Sequence, residues 1–251
     1  MQLSNQERIS EVSPEQFESI SLSEEEQNEA LRLAREKKYF LEKEIEYKKS
    51  LAKSLEPAKF TAQQIFQYFK LQYEVDESNR EIVTNLAYYF SGDSKFKGDL
   101  TKGLILFGGV GVGKTSLMKF FMRNQIFSYR VISCREIETQ FAMEGDVSVD
   151  YFSSNPKIPN NSNPFGHQEI GFCFDDIGTE SNSKYYGKEK NVIAEILLNR
   201  YDANLPKHST HITTNLSVDE LIKSYGTRVT DRIKEMMNVI QFDSNIKSRR
   251  K

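Results

Sequence analysis

Gly108-Gly109-Val110-Gly111-Val112-Gly113-Lys114-Thr115 is a complete G-x-x-x-x-G-K-[ST] loop, and few folds can hold one. Glycines let the backbone curl around an anion without Cβ clashes, and the loop needs a strand to enter it and a helix to leave it. Leu104-Ile105-Leu106-Phe107 is a short apolar run of strand type, and Ser116-Leu117-Met118-Lys119-Phe120-Phe121 continues as helix. The pattern predicts that backbone N–H groups from Gly108 to Ser116 face the phosphates of a bound nucleotide, expected to be ATP. Lys114 is placed to reach the β- and γ-phosphates, and the Thr115 hydroxyl to ligate Mg²⁺.

The chain has 251 residues, enough for one large domain or a core domain with a smaller appendage. Its net charge of −2 gives no global bias toward nucleic acid, so contact with DNA would have to come from local basic patches. The two cysteines, Cys134 and Cys173, are far apart and lack metal-ligand spacing; Cys173 lies in an apolar run and reads as a small buried hydrophobe. No apolar stretch approaches the ~20 residues of a membrane span, and the polar, acidic N-terminus is unlike a secretory signal. The expectation is a cytoplasmic protein without membrane contact.

Residues 1 to about 20 are polar, and a loosely ordered stretch is expected there. Ser23 and Glu26 have capping-box spacing at the start of a Glu-, Lys-, Leu- and Ala-rich segment, predicting one long charged helix that ends near Pro57. It reads either as a solvated helix packed on its own domain or as an arm for a protein partner. Thr61 with Gln64, and Ser78 with Glu81, predict two more helices, the second ended by Gly92-Asp93. Their aromatic stripe, Phe66, Phe69, Tyr89 and Phe90 among it, is expected in a core rather than as a base-stacking platform. From about Leu100 strands and helices alternate, as in a parallel α/β sheet, with strands at Tyr129–Ser133, Gly171–Phe174, His208–Thr214 and Val239–Phe242. The Asn-, Pro- and Ser-rich residues 153 to 168 predict a long surface loop. The expected division is a helical N-terminal region, 1–95, and a nucleotide-binding domain, 96–251.

Three constellations carry chemistry. The apolar strand Gly171–Phe174 delivers Asp175-Asp176 at its C-terminal end, a Walker B arrangement: Asp175 for Mg²⁺, Asp176 as the general base that orients the attacking water. Asn215 follows Ile212-Thr213-Thr214, where a polar amide can bind the γ-phosphate or the lytic water; it could also be the N-cap of the next helix. Arg228 and Arg232 lie four apart on one helix face, either as surface arginines in ordinary ion pairs or as an arginine finger offered to a neighbouring subunit's nucleotide.

In this order the loop, Phe174-Asp175-Asp176-Ile177-Gly178-Thr179-Glu180, Thr213-Thr214-Asn215-Leu216 and Gly226-Thr227-Arg228-Val229-Thr230-Asp231-Arg232 resemble the DnaC/IstB branch of AAA+ ATPases, over roughly residues 100 to 245. That branch holds bacterial replicative helicase loaders and transposition helper ATPases. The resemblance implies a P-loop fold with a five-stranded parallel sheet flanked by helices, an α-helical N-terminal region and no full C-terminal lid. It further implies Arg232 as the finger with Arg228 in support, and self-assembly into a homo-oligomer on DNA. Asp176 stands where broader AAA+ proteins carry Glu, and its shorter side chain implies slow hydrolysis. The N-terminal third has no cysteine cluster for a zinc-binding domain.

Three readings stay open at this point. One is a helicase loader that holds a replicative helicase and grips single-stranded DNA; the second is a transposition helper that recruits a transposase. The third, of another class, is a non-assembling NTP-binding regulator. The candidate DNA contacts are the basic end, Ile246 to Lys251, and Lys184, Lys188 and Lys190.

Overall fold

Strand β1 (Gly103–Phe107) runs straight into the phosphate loop, and its alternating side chains define the layers on either side of it. In the computed structural model the elements before it are α1 (Glu24–Ser54), α2 (Ala62–Gln72) and α3 (Arg80–Ser91). After it come α4 (Lys114–Phe121), β2 (Tyr129–Ser133), α5 (Cys134–Glu144), α6 (Asp146–Phe152) and β3 (Gly171–Ile177). A hairpin of β4 (Ser183–Tyr185) and β5 (Lys188–Lys190) precedes α7 (Val192–Asp202), β6 (Thr210–Thr214), α8 (Val218–Met236) and β7 (Met237–Gln241). The structure describes residues 21, 23–54, 59–160, 162–180, 183–185, 188–243, 245–246 and 248–249; side chains at 47–54 and 183–190 are outside that description. The N-terminal stretch 1 to 20 and the lysines at 184, 188 and 190, as side chains, therefore lie outside the described residues.

The five long strands form one sheet in the order β2-β3-β6-β1-β7, every neighbour parallel. All five C-terminal ends thus share one edge, the edge at which open α/β sheets bind ligands. Leu104 and Leu106 face one layer, built on Phe69 of α2, Val83, Leu86 and Phe90 of α3, and Leu117 and Phe121 of α4. Ile105 and Phe107 face the other, with Ile137 of α5, Phe152 of α6, Ile196 of α7 and Ile233 of α8. Period-two alternation in a strand covered on both faces makes each β1 residue apolar, as the sequence has it. This is the α/β fold of a P-loop NTPase.

The chain divides into two compact units, Met1–Glu56 and Pro57–Lys251. The first contains α1, opened by the reciprocal bonds of Ser23 and Glu26 (2.8 and 3.3 Å), with side chains exposed from Glu24 to Glu46. Even its large apolar groups are open, Phe40 most of all at 68 %. The second unit begins well before residue 96, because the aromatic side of α2 and α3 completes one layer over the sheet.

Thr61 and Gln64 form the capping box read from their spacing. Ser78 and Glu81 do not: the Ser78 hydroxyl donates to Asp76 (2.7 Å), Glu81 accepts from Lys97 (2.7 Å), and α3 starts behind Asn79. A closer local acceptor takes Ser78 and a distant lysine takes Glu81, so neither side chain is left for the cap. The fourth expected strand starts at Thr210, because Lys207–Ser209 form a 3₁₀ turn. Residues 153–160 and 162–168 run without helix or strand apart from a bridge at Lys157. That loop is tied down by Arg200, which is fully buried and donates to Phe152 O, Ser154 O and Asn155 Oδ1 on one side and to Ser209 and Thr210 on the other. Burial lowers the guanidinium to about 9.

Candidate nucleotide-binding site

The loop between β1 and α4 bends back on itself at Gly113, whose φ of +103° puts it in the left-handed region where a Cβ is penalised. Val112 next to it is buried against the α2–α4 layer and pins the loop to the core. Val110, at 58 % exposure, faces outward. Gly113, Lys114, Thr115, Asp176, Asn215 and the late Arg249 line a cavity of about 150 Å³. A larger cleft of about 1030 Å³ adjoins it between α4 and the α2–α3 turn, and Gly113, Ser116 and Arg249 line both.

The Lys114 ammonium is buried at 4 % exposure and donates to Gly108 O (2.7 Å), Gly109 O (2.9 Å) and Asn215 Oδ1 (2.6 Å). The Asn215 amide in turn donates to Asp176 Oδ1 (3.2 Å). Lys114 at the start of α4, Asn215 just after β6 and Asp176 near the end of β3 thus form one hydrogen-bonded line along the cavity. Asn215 is not a helix cap: Ser217 caps α8, in a capping box with Glu220.

Beneath that line the Thr115 hydroxyl donates to Asp175 (2.9 Å to Oδ1, 3.1 Å to Oδ2). The carboxylate is buried at 8 % exposure. Burial raises its pKa, opposed by its hydrogen bonds from Thr213 and Thr115. A cation between Thr115 and Asp175 would favour the ionised form, so the donor set, two hard oxygens side by side, suits Mg²⁺. The strand is longer than the apolar run suggested. It continues through both acids to Ile177, with a register break between Phe174 and Ile177. At the break Asp176 adopts φ +58°, a conformation of the kind that collects at functional sites.

Thr213 is the residue that sequence reasoning missed. Its hydroxyl donates to Asp175 Oδ1 (2.7 Å) and accepts from the Asp176 N–H (2.9 Å), so one β6 side chain fixes both acids. A Thr inside a strand reads as β-branched filler; the available signal was its place one strand register from the loop, opposite Leu106.

Arg228 and Arg232 line neither cavity. Both follow a break in α8 at Gly226 (φ 78°, ψ 166°) and so share one helical segment. Arg228 is exposed. Arg232 lies 4.2 Å from the centre of the Tyr201 ring, donates to its hydroxyl (3.0 Å) and is 3.6 Å from Glu235. Asp231, beside them in sequence, pairs instead with Lys234 (3.7 Å).

No group of three or more His, Cys, Asp or Glu side chains among the described residues is placed to hold a metal, and no described helix is long and apolar enough to cross a membrane. Cys134 and Cys173 are both buried free thiols.

No protein-family model matches the chain, and no curated protein does. Solved structures similar to it include the DnaC helicase loader, at 20% identity and TM-score 0.47, over 70% of this chain and 96% of that one. Another is AMPPCP-bound DnaA from Aquifex aeolicus, at 16% identity and TM-score 0.46, over 70% of this chain and 50% of that one. A third is a DNA replication initiation factor, at 15% identity and TM-score 0.48, over 69% and 48%.

Proposed function

We propose that the protein binds and hydrolyses ATP with Mg²⁺ and acts on DNA as a helicase-loader-like AAA+ ATPase. The observation that carries the nucleotide reading is the convergence of Lys114, Thr115, Asp175, Asp176 and Asn215, separated by up to 101 residues in sequence, on one hydrogen-bonded cluster at the C-terminal edge of the sheet. A chance glycine-rich turn would not gather a buried lysine, a carboxylate and an amide about one small cavity.

In this reading the loop N–H groups and Lys114 hold the phosphate chain. Thr115 and Asp175 are the residues that would hold Mg²⁺, which offsets charge on the phosphate oxygens. Asp176 orients a water and takes its proton as the water oxygen attacks the γ-phosphorus; the bond to the β–γ bridging oxygen breaks and ADP leaves. Asn215, already bonded to both Lys114 and Asp176, positions the γ-phosphate or the water. Arg232, with Arg228, is proposed to complete the site of a neighbouring subunit, in keeping with their position away from their own cavity.

The loader role and its partners, a replicative helicase and single-stranded DNA, are supported by the order of motifs shared with the DnaC/IstB branch and by the exposed apolar groups along α1. The nucleotide reading is tested by equilibrium binding of a labelled non-hydrolysable ATP analogue. Lys114→Ala is expected to abolish tight binding while leaving the fold intact by circular dichroism; unchanged affinity would remove the loop from its role.

A further inference from the structure

The end of the chain returns to the nucleotide site. Phe242 is buried and its N–H donates to Phe107 O (2.8 Å), holding the residues after β7 beside the start of the loop. Ile246 packs on the α2–α4 layer. Ser248 then lies over Gly111, so closely that a Cβ at 111 would clash with its side chain, and the Arg249 N–H donates to Gly111 O (2.9 Å). The Arg249 side chain reaches across to the α2–α3 turn, where Nη2 donates to both Asp76 oxygens (2.7 Å each) and to Ser78 Oγ (2.7 Å). Ser78 and Arg249 hold the Asp76 carboxyl down at about 2, so it is ionised throughout the neutral range.

Two facts point beyond a structural tie. Arg249 lines the 150 Å³ cavity together with Lys114 and Asn215, and it also lines the adjoining cleft, so it stands at their junction. Its Nε is buried and has no hydrogen-bond partner among the described residues. Native sites seldom leave a buried guanidinium donor unpaired, and the planar fork suits a phosphate oxygen. We propose that Arg249 is a nucleotide-binding residue supplied in cis from beyond β7: Asp76 and Ser78 hold its Nη2, and the guanidinium so placed donates to the phosphate chain where it passes from the small cavity into the cleft. This rests on the nucleotide reading above and adds to it a ligand far outside the motifs.

The test is binding of the same labelled ATP analogue, and of unlabelled adenosine by competition, to the full chain and its variants. Parent and Lys114→Ala report on the nucleotide reading by itself; a parent that binds no analogue removes both. With a binding parent, Arg249→Ala is expected to weaken the analogue at least fivefold and leave adenosine unchanged, since only the phosphates are read. Asp76→Asn is expected to weaken the analogue in the same direction, and the double variant to bind no worse than Arg249→Ala alone, because the carboxylate acts through the guanidinium. Arg249→Gln, which keeps a neutral donor and the tail's packing, guards against a folding artefact and is expected to fall between parent and Arg249→Ala. Analogue affinity within fivefold of the parent in Arg249→Ala, or tighter binding as expected of a blocking strap, would overturn the proposal, as would an equal loss for adenosine.

Discussion

A single hydroxyl decides how well the two acids are placed. Thr213 donates a hydrogen bond to Asp175 and accepts one from the Asp176 backbone N–H, so the carboxylate proposed for Mg²⁺ and the one proposed as base are set by the same group. Thr213→Val keeps the shape of a fully buried side chain and removes both bonds. It is expected to leave binding of an ATP analogue nearly intact and to slow phosphate release by ~10–100-fold, the range usual for groups that orient a metal ligand. Asp176→Asn is expected to bind as the parent does and to lose ~10²–10⁴ in turnover. Equal phosphate release by Asp176→Asn and the parent would take Asp176 out of the chemistry. The phosphate loop, both acids and Asn215 could be read from the sequence because each ends a strand or opens a helix in an order with few alternatives. Thr213 and Arg249 could not, since one looks like strand filler and the other like a basic tail, and their contacts arise only when distant strands and turns meet.

Among the elements, α2 and α3 are part of the sheet-bearing unit. Phe69, Val83, Leu86 and Phe90 are buried there, each contributing ~1.5–3 kcal/mol of apolar burial. Their sum rivals the ~5–15 kcal/mol by which whole domains are stable. A chain starting at Lys95 is therefore expected to lack a cooperative thermal transition, whereas one starting at Pro57 should melt cooperatively and bind the ATP analogue. The same Pro57 chain is expected to lose a protein partner held by α1, a helix of 31 residues and roughly 46 Å. Partner capture undiminished by the cut at Pro57 would move the docking site into the sheet-bearing unit. The helix periods were legible here, since apolar stripes at 3.6-residue spacing survive tertiary packing. The start of α3 was not, because Asp76 and Lys97 draw Ser78 and Glu81 away from the box their spacing suggests. Arg200 could have been noticed: it stands seven residues after Ile193, on the inward face of α7, where a charge demands a dense set of acceptors.

For the molecule as a whole, the arginine pair on α8 bears on assembly. If Arg232 serves a neighbour's site, the ATPase rate per subunit is expected to rise with protein concentration, more steeply with single-stranded DNA present. Arg232→Ala should bind nucleotide yet hydrolyse poorly, by ~10³-fold at the lower end for such fingers, and mixing it with Lys114→Ala should restore part of the rate. A rate flat with concentration, with no recovery on mixing, would instead fit a monomeric NTP-binding regulator. The strand order adds a temporal consequence. β6 lies between β1 and β3, yet it is the last of the three to be synthesised, a hundred residues after the loop. Until it slots in, the phosphate loop and the two acids have no common neighbour, and Asn215 and Thr213 are not in place beside them. If the site binds nucleotide as proposed, a nascent chain has no working pocket to be occupied early, and the nucleotide stabilises only a molecule whose sheet has already closed around its middle strand.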